Sequence, residues 1–407
     1  MARRTLDLTT GRPVWDITQL PVSLRPKPLL RDLKTEVLVV GMGVSGAMLA
    51  EALTAAGHGV VMIDRRGPAR GSTLATTALV QFEIDQPLSL LSAKIGQARA
   101  RRAWRRSRLA LANLAGRIAE LGIDCDAEIK PSLYLAGNLL RPTALKREGE
   151  QRRQAGLRAT YLTAGALAAQ FGLERAGALL SGGNLALDPV KLTAGLLTLA
   201  MRRGARLYGP ADAADFSEAG GEVAVSTGAG PVIVCRHLVL ATGYELLAKV
   251  PANGHSIVST YAIATRPQRG FDAGALPLIW EAADPYLYLR PTADGRLICG
   301  GEDEEFQDEK RRDALLADKA AALSRKLKAL LPQADPQPEF AWTGSFGSSS
   351  TGLPSIGLLP GARRVFAVMG YGGNGITYSQ IGSEIVAGAI AGITDQDADL
   401  FELKGRG

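Results

Sequence analysis

Glu36-Val-Leu-Val-Val40, Gly41-Met-Gly43-Val44-Ser45-Gly46, Ala47-Met-Leu-Ala-Glu-Ala-Leu-Thr-Ala-Ala56, Gly57-His58-Gly59 and Val60-Val-Met-Ile-Asp64 follow one another without a gap. The first run is apolar and β-branched, as a buried parallel strand requires. The alanine and leucine segment predicts a helix that ends at Gly57, and the second apolar run predicts another strand. Together they form a βαβ unit. Gly41 makes the tight turn, Gly43 lets the backbone approach a pyrophosphate, and Gly46 lets the helix pack closely on the strand. The phosphates are expected on free N–H groups at the positive end of the helix, with Val44 and Ser45 in its first turn. Asp64 closes the second strand eighteen residues after Gly46, where a carboxylate accepts hydrogen bonds from an adenosine ribose. With 47 glycines in 407 residues, a bare Gly-x-Gly-x-x-Gly is weak evidence; the register of strand, turn, helix, strand and acid carries the reading.

A chain of 407 residues has room for two or three domains. Its 46% hydrophobic and 21% charged residues are those of an ordinary globular protein, and it holds no uncharged apolar run of about eighteen residues or more, the length of a membrane span. Arg3-Arg4 is followed by Thr-Leu-Asp-Leu-Thr-Thr, so no export signal is read there. Three cysteines, Cys125, Cys235 and Cys299, lie far apart without metal-ligand spacing. They suggest reduced thiols, a cytoplasmic protein and no metal site. The net charge of +7, from 47 basic and 40 acidic side chains, raises nucleic acid or an anionic membrane as partners.

Prolines at 13, 21, 26 and 28 make residues 1–34 an extended arm, either packed on the domain or part of a dimer contact. After Asp64, Arg65-Arg66-Gly67-Pro68 is a turn, and Gly71-Ser72-Thr73-Leu74-Ala75-Thr76-Thr77-Ala78-Leu79 offers backbone amides and hydroxyls to a polar ligand. Gly96–Leu121 predicts a helix with a stripe of Trp104, Leu111, Leu114, Ile118 and Leu121. Its arginines 99, 101, 102, 105, 106 and 108 are expected to form a solvated face. Nucleic-acid binding is the sharper alternative, disfavoured because no aromatic residues are interleaved beyond Trp104. Residues 130–185 suggest a short strand near Leu133 and helices near 143–155 and 163–171. Asp188-Pro189 starts another helix, and a strand at 206–208 and a hairpin near 222–234 follow. His237-Leu-Val-Leu-Ala-Thr242-Gly243 reads as a strand returning to the first sheet.

Residues 251–345 alternate along strands, with Ala293-Asp-Gly295 as a hairpin turn, and predict an antiparallel sheet. There Tyr286, Tyr288 and Arg290 share one face and Leu287 and Leu289 the other. A helix is expected over 311–331. In the tail, Arg364–Met369 is a buried strand, Gly370-Tyr371-Gly372-Gly373-Asn374-Gly375-Ile376 a glycine-rich turn, and the segment from Thr377 a helix whose N-terminus points at something anionic or electron-rich. Asn374 is read as a residue suited to a left-handed conformation.

These pieces, in this order from about residue 35 to 392, resemble the flavin-dependent family of D-amino-acid oxidase, glycine oxidase and sarcosine oxidase. The resemblance implies an α/β Rossmann-like FAD-binding domain, discontinuous over 35–95, 184–250 and 346–395, and an α+β substrate domain over 96–183 and 251–345. It implies that Gly41–Asp64, with Arg65 and Arg66, holds the ADP half of FAD. Gly71–Leu79 would lie beside the flavin ring, Thr242-Gly243 at a strand end, and Gly372–Ile376 at the pyrimidine edge. No cysteine occupies the covalent-attachment region of Trp342-Thr-Gly-Ser-Phe346, so FAD is expected to be non-covalent. One departure matters: the arginines that commonly hold a substrate carboxylate are replaced here by Phe346 and Gly372-Gly373. Either Arg290 takes over that role, or the substrate is an amine with no nearby carboxylate. The implied reaction oxidises a C–N bond by hydride loss to flavin, giving an imine that hydrolyses, with oxygen or another acceptor reoxidising the flavin. His255, Tyr288, Arg290 and Tyr371 are the candidate catalytic residues, with Tyr286 as a further substrate contact and Trp342 in the core. The rival readings are a nicotinamide-dependent dehydrogenase and a basic, non-enzymatic nucleic-acid-associated protein.

Overall fold

The computed structural model describes residues 6–251 and 254–403; Arg3-Arg4 lies outside them. Two sheets organise the chain. The first has eight strands, in the order Ser355–Leu358, Val365–Met369, Val232–Leu240, Leu33–Val40, Val60–Ile63 and Arg206–Tyr208, with Glu222–Thr227 and Ala213–Ala219 added antiparallel beside Val232–Leu240. Leu33–Val40 pairs parallel with Val60–Ile63 (Val37 opposite Val60) and with Val232–Leu240 (Val40 opposite Leu240). The segment ending in Ala241-Thr242-Gly243 thus returns beside the first βαβ unit. Both faces of the central strand are covered: Val37 and Val39 pack with the helix Val44–Ala55, and Leu38 and Val40 with Phe216, Val223 and Val225 of the antiparallel meander. Burial on both sides is why its second half, Val37–Val40, reads as one continuous apolar run.

The second sheet has nine strands, in the order Pro338–Ser349, His255–Thr265, Leu297–Glu304, Leu287–Pro291, Leu278–Glu281, Glu128–Leu135, Gly177–Ala186 and Leu79–Val80, with Thr160–Thr163 added to Gly177–Ala186. Its pairings are antiparallel except that Leu278–Glu281 runs parallel to Glu128–Leu135. Leu323, Leu327 and Leu330 of the helix Leu316–Leu330 cover Leu287, Leu289 and Cys299 on one face. The expected single helix over 311–331 is two, Glu309–Ala314 and Leu316–Leu330, meeting at Leu315. Sequence reasoning also missed Gly177–Ala186 and Ala213–Ala219. Gly182-Gly183 hides the period of the first, and the second is largely exposed, so neither presents an apolar alternation to read.

The arm packs on this chain. Gly11 bridges Trp342, the Thr10 N–H donates to Thr343 Oγ1 at 2.8 Å, and Trp15 and Leu24 are buried. The arginines of Gln97–Leu121 form a solvated face only in part: Arg99 and Arg105 are exposed, and Arg106 is buried. Arg102 pairs with Asp397 and Asp399, the buried Arg106 pairs with Glu384 and Asp395, Arg105 donates to the Ala155 carbonyl and Arg108 to that of Gly183. They staple the helix to the C-terminal segment, to Ala155 and to the second sheet, and the carboxylates of the C-terminal segment offset the charge of Arg99, Arg102 and Arg106. Among the described residues, no helix is long and apolar enough to cross a membrane.

Candidate active site

One cavity runs from the glycine turn after Leu33–Val40 to the second sheet, enclosing about 1810 Å³ of space with its open mouth included. At its first end, Gly41 (φ +118°) has no room for a side chain, since a Cβ there would lie 2.2 Å from the Ala241 carbonyl oxygen. A Cβ on Gly46 would lie 1.9 Å from the Gly41 carbonyl oxygen. Gly46 therefore sets the closeness of helix and strand without touching the cavity. Gly41, Gly43, Val44 and Ser45 line the wall, where the N–H groups of a first helical turn have no intrahelical acceptor. Thr73 Oγ1 takes one of them, the Val44 N–H, at 3.0 Å.

Asp64 lines the same end, and its carboxylate also shapes the turns around it. It accepts from the N–H groups of Met42 (2.7 Å), Arg66 (2.6 Å) and Gly67 (2.8 Å). Arg65 and Arg66 line the wall as well, held by Asp212, Glu245 and the Leu6 carbonyl. Burial opposes the charge of Glu245, but the hydrogen bonds from Arg66 and the Leu6 N–H outweigh it and keep that carboxyl below the usual range. Thr242 and Gly243 complete this part.

The segment Gly71–Leu79 forms the next wall, with Gly71, Ser72, Thr73, Thr76, Thr77, Ala78 and Leu79 all on it. Three side chains from remote parts of the chain pin its backbone carbonyls. Trp342 Nε1 donates to Ala75 O at 2.8 Å, Trp15 Nε1 to Thr76 O at 2.6 Å and Arg290 Nη1 to Ala78 O at 2.7 Å. Ala78 adopts φ +52°, a conformation that a non-glycine residue holds only where its surroundings enforce it.

This arrangement corrects the reading of Arg290 as an exposed carboxylate ligand. Its residue is 2% exposed, its guanidinium also donates to the carbonyls of Leu187 and Pro291, and it lies 5.3 Å over the Trp15 ring. Burial without a counter-ion in contact lowers its pKa to about 10. His255 is corrected too. It starts its strand at the edge of Gly370, shares a 2.9 Å hydrogen bond with Ser355 Oγ and does not line the cavity; burial lowers its pKa.

The C-terminal turn supplies Tyr371, Gly372, Gly373, Asn374, Gly375 and Ile376 to the wall, ahead of the helix Gly375–Ile390. Asn374 is not left-handed (φ −93°, ψ 31°). Its Nδ2 donates to the Gln81 and Glu83 carbonyls, which turns Oδ1 away from them. That Oδ1 and Gln81 Nε2 are buried without a partner, and both residues line the cavity. An open donor and an open acceptor on the same cavity wall fit the mixed donor and acceptor edge of a flavin pyrimidine ring. Tyr371 is on the wall, but its hydroxyl is committed to the Val368 carbonyl at 2.7 Å.

The far wall comes from the second sheet: Tyr286, Tyr288, Trp280 and Thr260. Gly300 leaves room for the Tyr288 ring, whose hydroxyl would lie 2.2 Å from a Cβ there. Burial raises both tyrosine pKa values, so both hydroxyls stay protonated. Sequence reasoning missed two carboxyls here. Asp85 lines the cavity and its Oδ2 accepts from the Gly373 N–H at 2.7 Å; Asp303 accepts from the Tyr286 hydroxyl at 2.6 Å. The local sequence around Asp85, Glu83-Ile-Asp85-Gln-Pro87, resembles any polar loop, so no local signal marked it. The hydrogen bond from the Gly373 N–H to Asp85 also means that this amide is already taken.

The chain belongs to the FAD-dependent oxidoreductase family known as DAO, which it matches over residues 36–389. FAD is the cofactor of that family. Among solved structures, glycine oxidase from Geobacillus kaustophilus is similar at 22% identity, over 92% of this chain and 100% of its own, with a TM-score of 0.74. L-Proline dehydrogenase from P. horikoshii is similar at 19% identity, over 91% and 97%, with a TM-score of 0.75. L-α-Glycerophosphate oxidase from Mycoplasma pneumoniae, solved with FAD bound, is similar at 15% identity, over 92% and 100%, with a TM-score of 0.72. These likenesses are of fold.

Proposed function

We propose that the protein oxidises the C–N bond of a small amine or amino acid, with FAD held non-covalently along the cavity. The observation that carries this reading is the continuity of one cavity from the glycine turn, past the pinned 71–79 segment, to the tyrosine wall of the second sheet. A dinucleotide bound along it ends beside a second, partly aromatic chamber. In this reading Gly41, Gly43, Val44, Ser45, Asp64, Arg65 and Arg66 hold the ADP half, Gly71–Leu79 and Thr242-Gly243 flank the flavin, and Gly372–Ile376 meets its pyrimidine edge.

FAD, when bound, supplies the acceptor for the hydride lost from the carbon beside nitrogen, and water hydrolyses the resulting imine. The chain contributes position and exclusion of water. Trp15, Trp342 and Arg290 fix the 75–78 backbone from behind, and Tyr286, Tyr288 and Trp280 close the other side. The buried thiols of Cys125, Cys235 and Cys299 are off the cavity wall, which supports a non-covalent cofactor. The glycerophosphate oxidase above has the same fold, so the donor class has to be tested directly. The purified holoprotein, kept anaerobic, is mixed with a panel of amines, amino acids, hydroxy acids and polyols, and the 450 nm region of the flavin spectrum is followed. Bleaching by amines or amino acids supports the proposal; bleaching only by hydroxyl donors overturns it.

A further inference from the structure

The chamber beneath the tyrosine wall has an unusual charge. Besides Arg65 and Arg66, held by Glu245, Asp212 and the Leu6 carbonyl, no basic residue lines the cavity among the described residues. The Arg290 that sequence reasoning offered as a carboxylate ligand is spent behind the 75–78 segment. What faces the chamber is an anion. The Asp85 side chain is exposed to the open cavity, and its only charged neighbour of consequence is Asp303, of the same sign. Partial desolvation by the cavity walls, set against the Gly373 N–H and reinforced by Asp303, pushes its carboxyl up to about 6. An anion so placed lacks a counter-charge from the protein.

Two further features complement a cation. Tyr286 and Tyr288 stack with centroids 5.8 Å apart and an interplanar angle of 28°, and aromatic faces attract alkylammonium groups. Behind them, Asp303 holds the Tyr286 hydroxyl with one oxygen, while Oδ1 is buried with no hydrogen-bond partner. A carboxylate on the substrate has no guanidinium or ammonium to meet here, and it faces Asp85.

We propose that this chamber selects an amine that carries a positive charge and no carboxylate beside the reacting nitrogen, with Asp85 as its counter-charge and the Tyr286–Tyr288 pair as its aromatic wall. This rests on the reading of the site as an amine oxidoreductase and narrows it to cationic amines over zwitterionic amino acids. Like charges in one site disfavour the wrong ligand as strongly as complementary ones favour the right one.

The test uses tetramethylammonium, a cation with no lone pair to oxidise, and acetate as its anionic counterpart. Each is titrated into the FAD-loaded protein and followed by calorimetry and by the flavin spectrum. Tetramethylammonium is expected to bind the wild type about ten-fold or more tightly than acetate, and Asp85→Asn to weaken it about ten-fold, the equivalent of one charge pair. Asp85→Glu, which keeps the charge, should retain most of the affinity. Acetate binding more tightly than tetramethylammonium overturns the proposal without any variant. An Asp85→Asn affinity within about two-fold of wild type overturns it too. In the bleaching panel, diamines and N-alkylamines should outrun glycine, sarcosine and proline; faster bleaching by the amino acids refutes the cationic class while leaving C–N oxidation intact. Bleaching by hydroxyl donors alone refutes C–N oxidation instead.

Discussion

Replacing Arg290 by methionine removes a buried cation that supports the cavity without entering it. Three carbonyls, those of Ala78, Leu187 and Pro291, lose a charged donor. Leaving each unsatisfied costs about 1–3 kcal/mol, together roughly 3–9 kcal/mol. Against this, the wild-type residue bears the cost of burying its charge. With the ordinary value of 12.5 lowered to about 10, and about 1.4 kcal/mol per pKa unit, the variant recovers roughly 3 kcal/mol. At 2% exposure, solvent screens little of that. The lost stacking on Trp15 adds about 1 kcal/mol, so the net destabilisation centres near 4 kcal/mol. Unfolding entropy of about 2.1 cal/mol/K per residue over this chain converts that into a fall in Tm of about 5 °C. Because Ala78 is no longer held at positive φ, FAD affinity should fall as well, by about ten-fold for each 1.4 kcal/mol of lost order. The assay is thermal unfolding with and without added FAD, and FAD titration of the apoprotein. A variant with unchanged Tm and FAD affinity, but a KM raised only for carboxylate-bearing donors, would refute this reasoning and restore Arg290 as a substrate ligand.

Asp64→Ala should weaken FAD binding, since a charge-assisted hydrogen bond is worth about 1.5–3 kcal/mol. It should also lower Tm, because Met42, Arg66 and Gly67 lose their acceptor; FAD titration and thermal unfolding read the two effects, and an unchanged Kd places the ribose elsewhere. Gly46→Ala should cost about 1–3 kcal/mol by forcing the helix off its strand, whereas Gly116→Ala, a helical position with open space around it, should be neutral or slightly stabilising; equal Tm values for the two would contradict the packing assigned to Gly46. Asp85 gives a pH signature. Its carboxyl is raised from 3.8 to about 6, so its contribution to stability is present below the unfolded value and lost as pH rises through about 6. Asp85→Asn should therefore gain stability over wild type at pH 8 relative to pH 4, by about 1 kcal/mol once the solvent in the cavity is allowed for, read by denaturant titration at both pH values. Over the same window tetramethylammonium affinity in the wild type should rise with pH. Acid precipitation should leave the flavin in the supernatant, and colour retained on the pellet would show covalent attachment.

The parts of this protein that sequence alone determined are those fixed by neighbours along the chain. The strand read over 36–40, the glycine spacing, the helix after it and Asp64 fall within one βαβ unit, where side-chain period and backbone conformation report directly on the residues written there. The same holds for Asp188-Pro189 at a helix start, where Asp188 accepts from the Val190 and Lys191 N–H groups, and for the glycine turn before Gly375–Ile390. What sequence left open were contacts between residues far apart in the chain. Alternation put Arg290 on the face shared by Tyr286 and Tyr288, which is where it lies, but only the packing of Trp15 and Ala78 against it, the latter 212 positions away, decided that its charge faces carbonyls and not substrate. The arginine helix has a similar history: its period revealed the buried stripe, while the acids that neutralise it arrive from the chain's last segment. Asp85 had no local mark at all. Its meaning comes from Gly373, 288 positions on, and from a tyrosine wall on another sheet, because a carboxylate becomes selective only when tertiary structure sets it on a cavity wall and withholds a counter-charge.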